Sequence, residues 1–325
     1  MLDWFAAGHR DLPWRRTRDP YRIWLSEIML QQTRAVAAIP YYEEFLRRFP
    51  DVTALARAPE SEVLAAWSGL GYYSRARNIR RAAIAIEALG GFPDTLDAIR
   101  ELPGIGPYTA AAVASIGFGL PHAVLDGNVM RVIARLTADP ADIGSGATRA
   151  RFQQTAQELL DPQHPAEFNQ GMMELGATVC LPRNPLCLIC PAAKFCEARA
   201  TARQSEFPVK LRKTVVIEEA IEMVIVVRNG RVLMRQRGAS ESRMAGFWEL
   251  PGPPDLPGLG EITKIGEFPH SIVNHRYLAT VFVGNARRQK GMAWVTPAID
   301  GTVPITTMTR KALELLAKRE RFVQI

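Results

Sequence analysis

The sequence predicts a multidomain chain: an all-α unit over residues 1–200, a linker over 201–217, and a smaller α+β domain over 218–325. Three observations carry this. Apolar residues recur at helical spacing, in segments parted by Pro or Gly, and no convincing strand is found before residue 215. The only four cysteines, Cys180, Cys187, Cys190 and Cys196, fall within 17 residues. After the linker, Ala220–Arg228 and Val232–Arg237 flank Asn229-Gly230, a strong two-residue hairpin signal.

In chain order, His9-Arg10-Asp11-Leu12-Pro13-Trp14-Arg15 reads as a loop carrying an aromatic and arginines. Asp19-Pro20-Tyr21 opens a helix to about Gln32, with Asp19 as cap and Pro20 at the first turn. On that helix Glu27 shares a face with Ile23, Trp24, Leu30 and Gln31. A carboxylate on an apolar face is desolvated, its pKa rises, and it suits general-acid work. An ion pair with a nearby arginine would suit the position as well. Helices are expected over 41–49, 60–68, 75–89 and 96–102. They continue from Asp126 to about Leu136, over 149–160 and over 168–176. In the last domain, 278–283 and 292–295 read as strands and 309–318 as a helix.

Leu102-Pro103-Gly104-Ile105-Gly106-Pro107-Tyr108-Thr109 marks a tight turn into a helix running to Ile116. Such a turn aims backbone N–H groups at the helix N-terminus, a ready site for a phosphate oxygen. Glycine there lets a ligand approach the backbone. Asp126 lies 20 residues after Gly106, just before an apolar run. It would serve as a helix cap, or as a functional carboxylate favoured by the helix terminus.

The cysteine spacing, C-x6-C-x2-C-x5-C, points to one metal centre, zinc or an iron–sulfur cluster, rather than to disulfides. Charge is divided unevenly. Residues 1–200 hold 21 Lys+Arg against 21 Asp+Glu, so the whole net +7 lies beyond them. The first lysine is Lys194, so the 102–131 region has no amine for a Schiff base. Met1-Leu2-Asp3-Trp4-Phe5 does not read as a signal peptide. The longest weakly polar stretch, 110–125, is broken by Pro121 and His122 and is too short for a bilayer. A cytoplasmic, nucleoid-associated protein without membrane contact is expected.

Taken together, Trp24-Leu25-Ser26-Glu27, Met29-Leu30-Gln31-Gln32-Thr33, Gly69-Leu70-Gly71-Tyr72-Tyr73-Ser74-Arg75, the glycine turn, Leu125-Asp126-Gly127-Asn128 and the four cysteines resemble the MutY family of adenine DNA glycosylases. That family lies in the endonuclease III-like branch of the helix-hairpin-helix superfamily. The resemblance is dense over residues 3–200 and looser beyond, where Gly246-Phe247-Trp248-Glu249-Leu250-Pro251-Gly252 is similar to the family's Nudix-like domain. It implies a six-helix barrel over about 20–130 and a cluster module built from 1–19 and 131–200, with a [4Fe–4S] cluster on Cys180, Cys187, Cys190 and Cys196. It implies a monomer acting on duplex DNA that removes adenine opposite 8-oxoguanine or guanine. Glu27 would protonate adenine, Asp126 would stabilise the sugar cation, and Tyr108 and Asn128 would position them. Arg10, Trp14, Leu30, Gln31, Gln32, Tyr72, Gln170, Asn274 and His275 would contact substrate, and Gly104, Gly106 and Thr109 the DNA backbone. The linker would meet a repair or replication protein.

Two departures bear on this. The last domain lacks the Nudix Arg-Glu-x2-Glu-Glu acids, and the family's Phe-Ser-His reading loop is here Val273-Asn274-His275. Tyr108 stands where the endonuclease III branch has its Schiff-base lysine, which implies a glycosylase that leaves an abasic site without cutting the strand. A thymine glycosylase acting on G:T pairs, or a non-catalytic duplex-binding protein, are the alternatives.

Overall fold

The computed structural model describes residues 1–211, 215–238, 241, 244–296 and 303–323. It divides into two compact units, Met1–Arg57 with Asn78–Lys213, and Ala58–Arg77 with Thr214–Ile325. The division differs from the sequence boundary at 58–77. That stretch is packed into the second unit by the Tyr73 ring on Phe247, centroids 3.9 Å apart, and by hydrogen bonds from Arg77 to the Ala245 carbonyl and from Arg310 to Ser68.

Helices run in the order α1 Leu2–Gly8, α2 Pro20–Leu30, α3 Ala35–Arg48, α4 Val52–Arg57, α5 Glu60–Ala66, α6 Ser74–Ala88, α7 Leu96–Glu101, α8 Pro107–Ala112, α9 Gly127–Leu136, α10 Gly146–Leu159, α11 Pro165–Thr178 and α12 Glu197–Ala200. The caps read from sequence form as hydrogen bonds: Asp19 accepts from the Tyr21 amide at 2.9 Å and Asp126 from the Val129 amide at 2.7 Å. In the first unit, Trp24, Leu25 and Met29 of α2, Phe45 of α3, Ile133 of α9 and Phe152 of α10 are buried. Helix α11 packs on α9, α1 and the turn after α8. Alanines 110–112 and Ala114 are buried, letting backbones approach closely. The helix expected to reach Ile116 ends as α-helix at Ala112 and widens to a π turn over Val113–Gly117. There the Ser115 hydroxyl donates to the Ala111 carbonyl and the Asn169 amide donates to Ser115.

Part of the stretch read as a linker is tied to the first unit. The Arg135 guanidinium donates to the Gln204 and Phe207 carbonyls, and the Ile143 amide to Val209. Residues 212–214 of that stretch lie outside the described residues.

In the second unit, β1 Ile217–Ile225, β2 Val227–Arg228, β3 Arg231–Gln236, β4 Trp248–Glu249, β5 Ile262–Ile272, β6 His275–Gly284 and β7 Met292–Val295 precede α13 Thr307–Val323. One sheet has the order β1-β6-β5, with β1 and β6 parallel and β5 antiparallel; the other joins β2, β3, β4 and β7. Met223, Ile225, Ala279 and Val281 enter one core with Ala312 of α13, while Val224, Val226 and Leu233 enter a second. Asn229 and Gly230 both have positive φ, 50° and 70°, at the expected β2–β3 turn. Strand β5 was not foreseen. Gly266, Pro269 and its charges mask the alternation, and Pro269 is accommodated because β5 is an edge. Among the described residues no helix is long and apolar enough to cross a membrane.

Helices α9 and α11 meet where Gly176 faces Asn128. A Cβ on Gly176 would stand 2.6 Å from the Asn128 Cβ and 2.9 Å from its carbonyl oxygen. Gly176→Ala is expected to destabilise the protein by about 1–3 kcal/mol through overpacking. A thermal melt unchanged from the parent would contradict this contact.

Candidate active site

A cavity of about 1180 Å³ opens within the first unit. Its wall gathers Glu27, Leu30, Gln31 and Gln32 from α2 and its exit, Arg10, Trp14 and Arg15 from the N-terminal segment, and Tyr108 from α8. Asp126 and Asn128 at the start of α9, and Gln170, Met173 and Glu174 from α11, complete it. Residues far apart in sequence thus share one space. No lysine lines it.

Glu27 is 5% exposed and is fully surrounded by protein apart from this cavity. Burial pushes its carboxyl up, to about 7, and the charge of Asp126 adds to the rise. Opposing both, the Tyr108 hydroxyl donates to Glu27 Oε2 at 2.6 Å and Arg15 favours the carboxylate. The same hydroxyl lies 3.2 Å from Met173 Sδ. Burial between Glu27 and Asp126 holds the Tyr108 phenol well above its usual range, so it stays a donor.

Asp126 caps α9, and the Asn128 amide donates to its Oδ2 at 2.7 Å. The sequence expectation of a helix-tip anion needs amending in one respect. Burial outweighs the donors from Val129 and Asn128, and the Asp126 carboxyl rises above its ordinary value. The 118–126 approach to Asp126 is pinned from α11: Asn169 donates to the His122 carbonyl and accepts from the Val124 amide. Arg131 donates to Asn128 Oδ1, to the Gly176 carbonyl and to the Cys180 carbonyl.

The principal group missed in the sequence is Glu174. It is 2% exposed and is clamped by Arg10, which donates through Nε and Nη2 at 2.8 Å each, and by Arg15 at 2.7 Å. Burial works against its charge, yet these donors prevail and hold it down at about 2. Arg10, expected at the substrate, is therefore held through its fork by Glu174. Glu174 follows Gln170 by four on α11, so one helical face carries both. That spacing was the available signal.

Gly104 has φ +77° and presses on the Asn78 side chain, while a Cβ on Gly106 would meet nothing within 4 Å. Gly106 thus leaves open surface rather than filling an internal need. The Thr109 side chain is buried at 2% exposure and its hydroxyl accepts from Gln31 at 3.4 Å, so any contact from this residue to a DNA backbone would come from its amide in the first turn of α8.

Tyr72, Asn274 and His275 belong to the second unit. Tyr72 is part exposed at φ 48°, its ring covered by the Arg75 guanidinium at 5.4 Å. The β5–β6 turn places Val273 at its tip, 72% exposed with φ 57°. The Asn274 amide donates to the Val215 carbonyl at 3.0 Å, and His275 Nδ1 lies 2.5 Å from Glu219.

Cys180, Cys187, Cys190 and Cys196 are free thiols lining one small hollow with Arg135 and Arg199. Arg135 Nη1 donates to Cys180 Sγ at 3.3 Å. Among the described residues no group of three or more His, Cys, Asp or Glu is arranged to hold a single metal ion.

Residues 25–160 match the model of the HhH-GPD superfamily of base excision DNA repair proteins. The chain is 44% identical over 217 residues to the adenine DNA glycosylase of Homo sapiens, a match covering 63% of this chain and 40% of that protein. It is 36% identical over 233 residues to the adenine DNA glycosylase of Buchnera aphidicola subsp. Acyrthosiphon pisum, covering 70% and 66%. The chain thus spans two-fifths of the first relative's length and about two-thirds of the second's. Among solved structures it is similar to a thermostable thymine-DNA glycosylase, with 32% identity, TM-score 0.54, and coverage of 62% of this chain and 93% of that one. A trapped endonuclease III–DNA covalent intermediate shares the fold at 22% identity and TM-score 0.51, covering 62% and 94%.

Glu174→Gln leaves the buried Arg15 without its counter-charge. A loss of about 3 kcal/mol in stability is expected, as for breaking one side of a buried pair. In the parent, the contribution of this lowered carboxyl is present above about pH 4.5 and is lost as pH falls toward 2. Urea titrations across that window, in parent and variant, check both statements.

Proposed function

The chain belongs to the HhH-GPD superfamily of base excision DNA repair proteins, and on that footing we propose that it is a monofunctional adenine DNA glycosylase, removing adenine opposite 8-oxoguanine or guanine in duplex DNA. The observation that carries the reading is a desolvated Glu27, poised near neutrality, sharing a cavity with Asp126. A flipped nucleoside enters that cavity. Glu27 gives its proton to adenine N7, the base leaves with the bonding electrons, and Asp126 faces the sugar cation that remains. Water then completes the abasic site. Asn128 orients Asp126 through its amide, and Tyr108 orients Glu27. Among the described residues the wall offers no lysine, which supports base removal without strand cutting through a Schiff base.

For the four cysteines we propose a [4Fe–4S] cluster. Four free thiols share one hollow, no other donor residue type lines it apart from arginines and Gln204, and a guanidinium already addresses one sulfur. The cluster would order the 180–196 loop. We read the second unit as Nudix-like and as the reader of the opposite base, through the Val273-Asn274-His275 turn, and Tyr72 as a stacking probe beside the lesion. Gly104 and Gly106 would admit the DNA backbone to the hairpin amides.

A thymine glycosylase acting on G:T pairs is the second reading, favoured by the 32% identity to a solved thymine-DNA glycosylase over 93% of its length. Single-turnover assays on 8-oxoguanine:A, G:A and G:T duplexes separate the two.

Glu27→Gln should cut adenine release by roughly 10²–10⁴-fold with duplex affinity retained. In the parent, release should hold below about pH 7 and fall above it, since the acid must carry its proton. A variant releasing base at the parental rate would remove the acid from Glu27. Purified protein should carry four irons with acid-labile sulfide and a broad visible band; Cys187→Ser should lose them, and one zinc in their place would overturn the cluster.

A further inference from the structure

A single hydroxyl hydrogen cannot serve two acceptors fully at once, yet Tyr108 Oη has two within reach. Glu27 Oε2 lies at 2.6 Å and Met173 Sδ at 3.2 Å. We propose that the Met173 thioether is the alternative acceptor for the Tyr108 hydroxyl, so that the Glu27–Tyr108 hydrogen bond can reverse direction as Glu27 takes up and gives away its proton. The inference rests on the acid role assigned to Glu27 above and adds a positioning residue to it.

The argument runs from what each protonation state demands. An ionised Glu27 only accepts, and the Tyr108 hydroxyl donates to it. A Glu27 protonated on Oε2 must itself donate, and the oxygen 2.6 Å away is Tyr108 Oη. The phenol hydrogen then needs somewhere else to go, in a site where an unmet donor costs about 1–3 kcal/mol. Sulfur supplies that place from α11. Tyr108 therefore stays in position through both states, and no side chain need swing when the proton leaves. Ordinary packing would also set a methionine beside an aromatic ring, but packing requires no hydroxyl-to-sulfur approach of this kind.

The groups facing Glu27 are accounted for element by element. Arg15 from the 13–15 turn and Asp126 from the start of α9 act on its charge directly. Glu174 on α11 is neutralised by Arg10 and Arg15. Arg131 on α9 is spent on Asn128 and backbone carbonyls. Of these elements, only α11 brings a neutral acceptor to the Tyr108 hydroxyl.

The consequence is directional. Removing the sulfur commits the hydroxyl to Glu27, favours the carboxylate, and lowers the pH at which the acid loses its proton. The test follows the Glu27 carboxyl carbon by NMR titration in the full-length, DNA-free protein, alongside the basic limb of single-turnover adenine release. Met173→Leu should move both midpoints down by several tenths of a pH unit. Met173→Gln, whose amide oxygen is the stronger acceptor, should move them up. In a Tyr108→Phe background both substitutions should be silent. Unmoved midpoints, movement of Leu and Gln variants in the same direction, or shifts that persist without the phenol would each overturn the proposal. Should Met173→Leu prove too unstable to titrate, the Gln variant carries the test alone. The carboxyl titration needs no base release, so it stands apart from the acid assignment: a Glu27→Gln enzyme that still excises defeats the acid role and leaves this titration unaffected.

Discussion

Everything in the helical unit answers to one constraint: a carboxyl group must be kept from water without being left alone. Glu27 sits on the apolar face of α2, where isolation from solvent favours its neutral form and raises its pKa. One hydrogen bond from Tyr108 and the field of Arg15 pull it back to the middle of the scale. Neither partner is local. Tyr108 comes from the helix after the glycine turn, and Arg15 is itself locked by Glu174 on α11. The cavity is the space left when three distant segments converge on a single acid. Packing of α9 and α11 at Gly176 determines how closely the opposing wall approaches.

The parts of this arrangement that were legible in sequence are those decided within a few residues. Asp19 and Asp126 announce helix starts because a cap bonds its own second or third neighbour, and Asn229-Gly230 announces a turn because few residues tolerate positive φ in succession. The face carrying Glu27 was equally plain from its period. What periodicity does not carry is the identity of a partner 164 residues away, so the Glu174 clamp on Arg10 went unread. The inward turn of the Thr109 hydroxyl went unread for a related reason, since it depends on the approach of α2, which brings Gln31 against it. Strand β5 hid because its proline and charges are permitted only by an edge position, a fact of the assembled sheet.

Two non-glycine residues in the second unit hold left-handed backbone at places the substrate reading also selects. Tyr72 has φ 48° and Val273 has φ 57°. For a β-branched side chain this is a costly conformation, kept by the tight register of β5 with β6. Asn274 and His275 beside it are anchored to the Val215 carbonyl and to Glu219. The turn therefore projects its valine outward while its polar neighbours brace it.

Arg135 shows why the first 193 residues can dispense with lysine altogether. It is 2% exposed and its planar fork reaches the carbonyls of Leu181, Pro182, Gln204 and Phe207 together with the Cys180 sulfur. An ammonium is a compact point that satisfies three directions at best and demands water for whatever is left. Arg10 and Arg131 likewise rest on several acceptors at once. Arg135 and Arg131 act mainly as rigid brackets between backbone carbonyls, while Arg10 joins its bracket to the charge of Glu174. Exchanging one for lysine would keep the formal charge yet loosen the joint between otherwise separate stretches of chain.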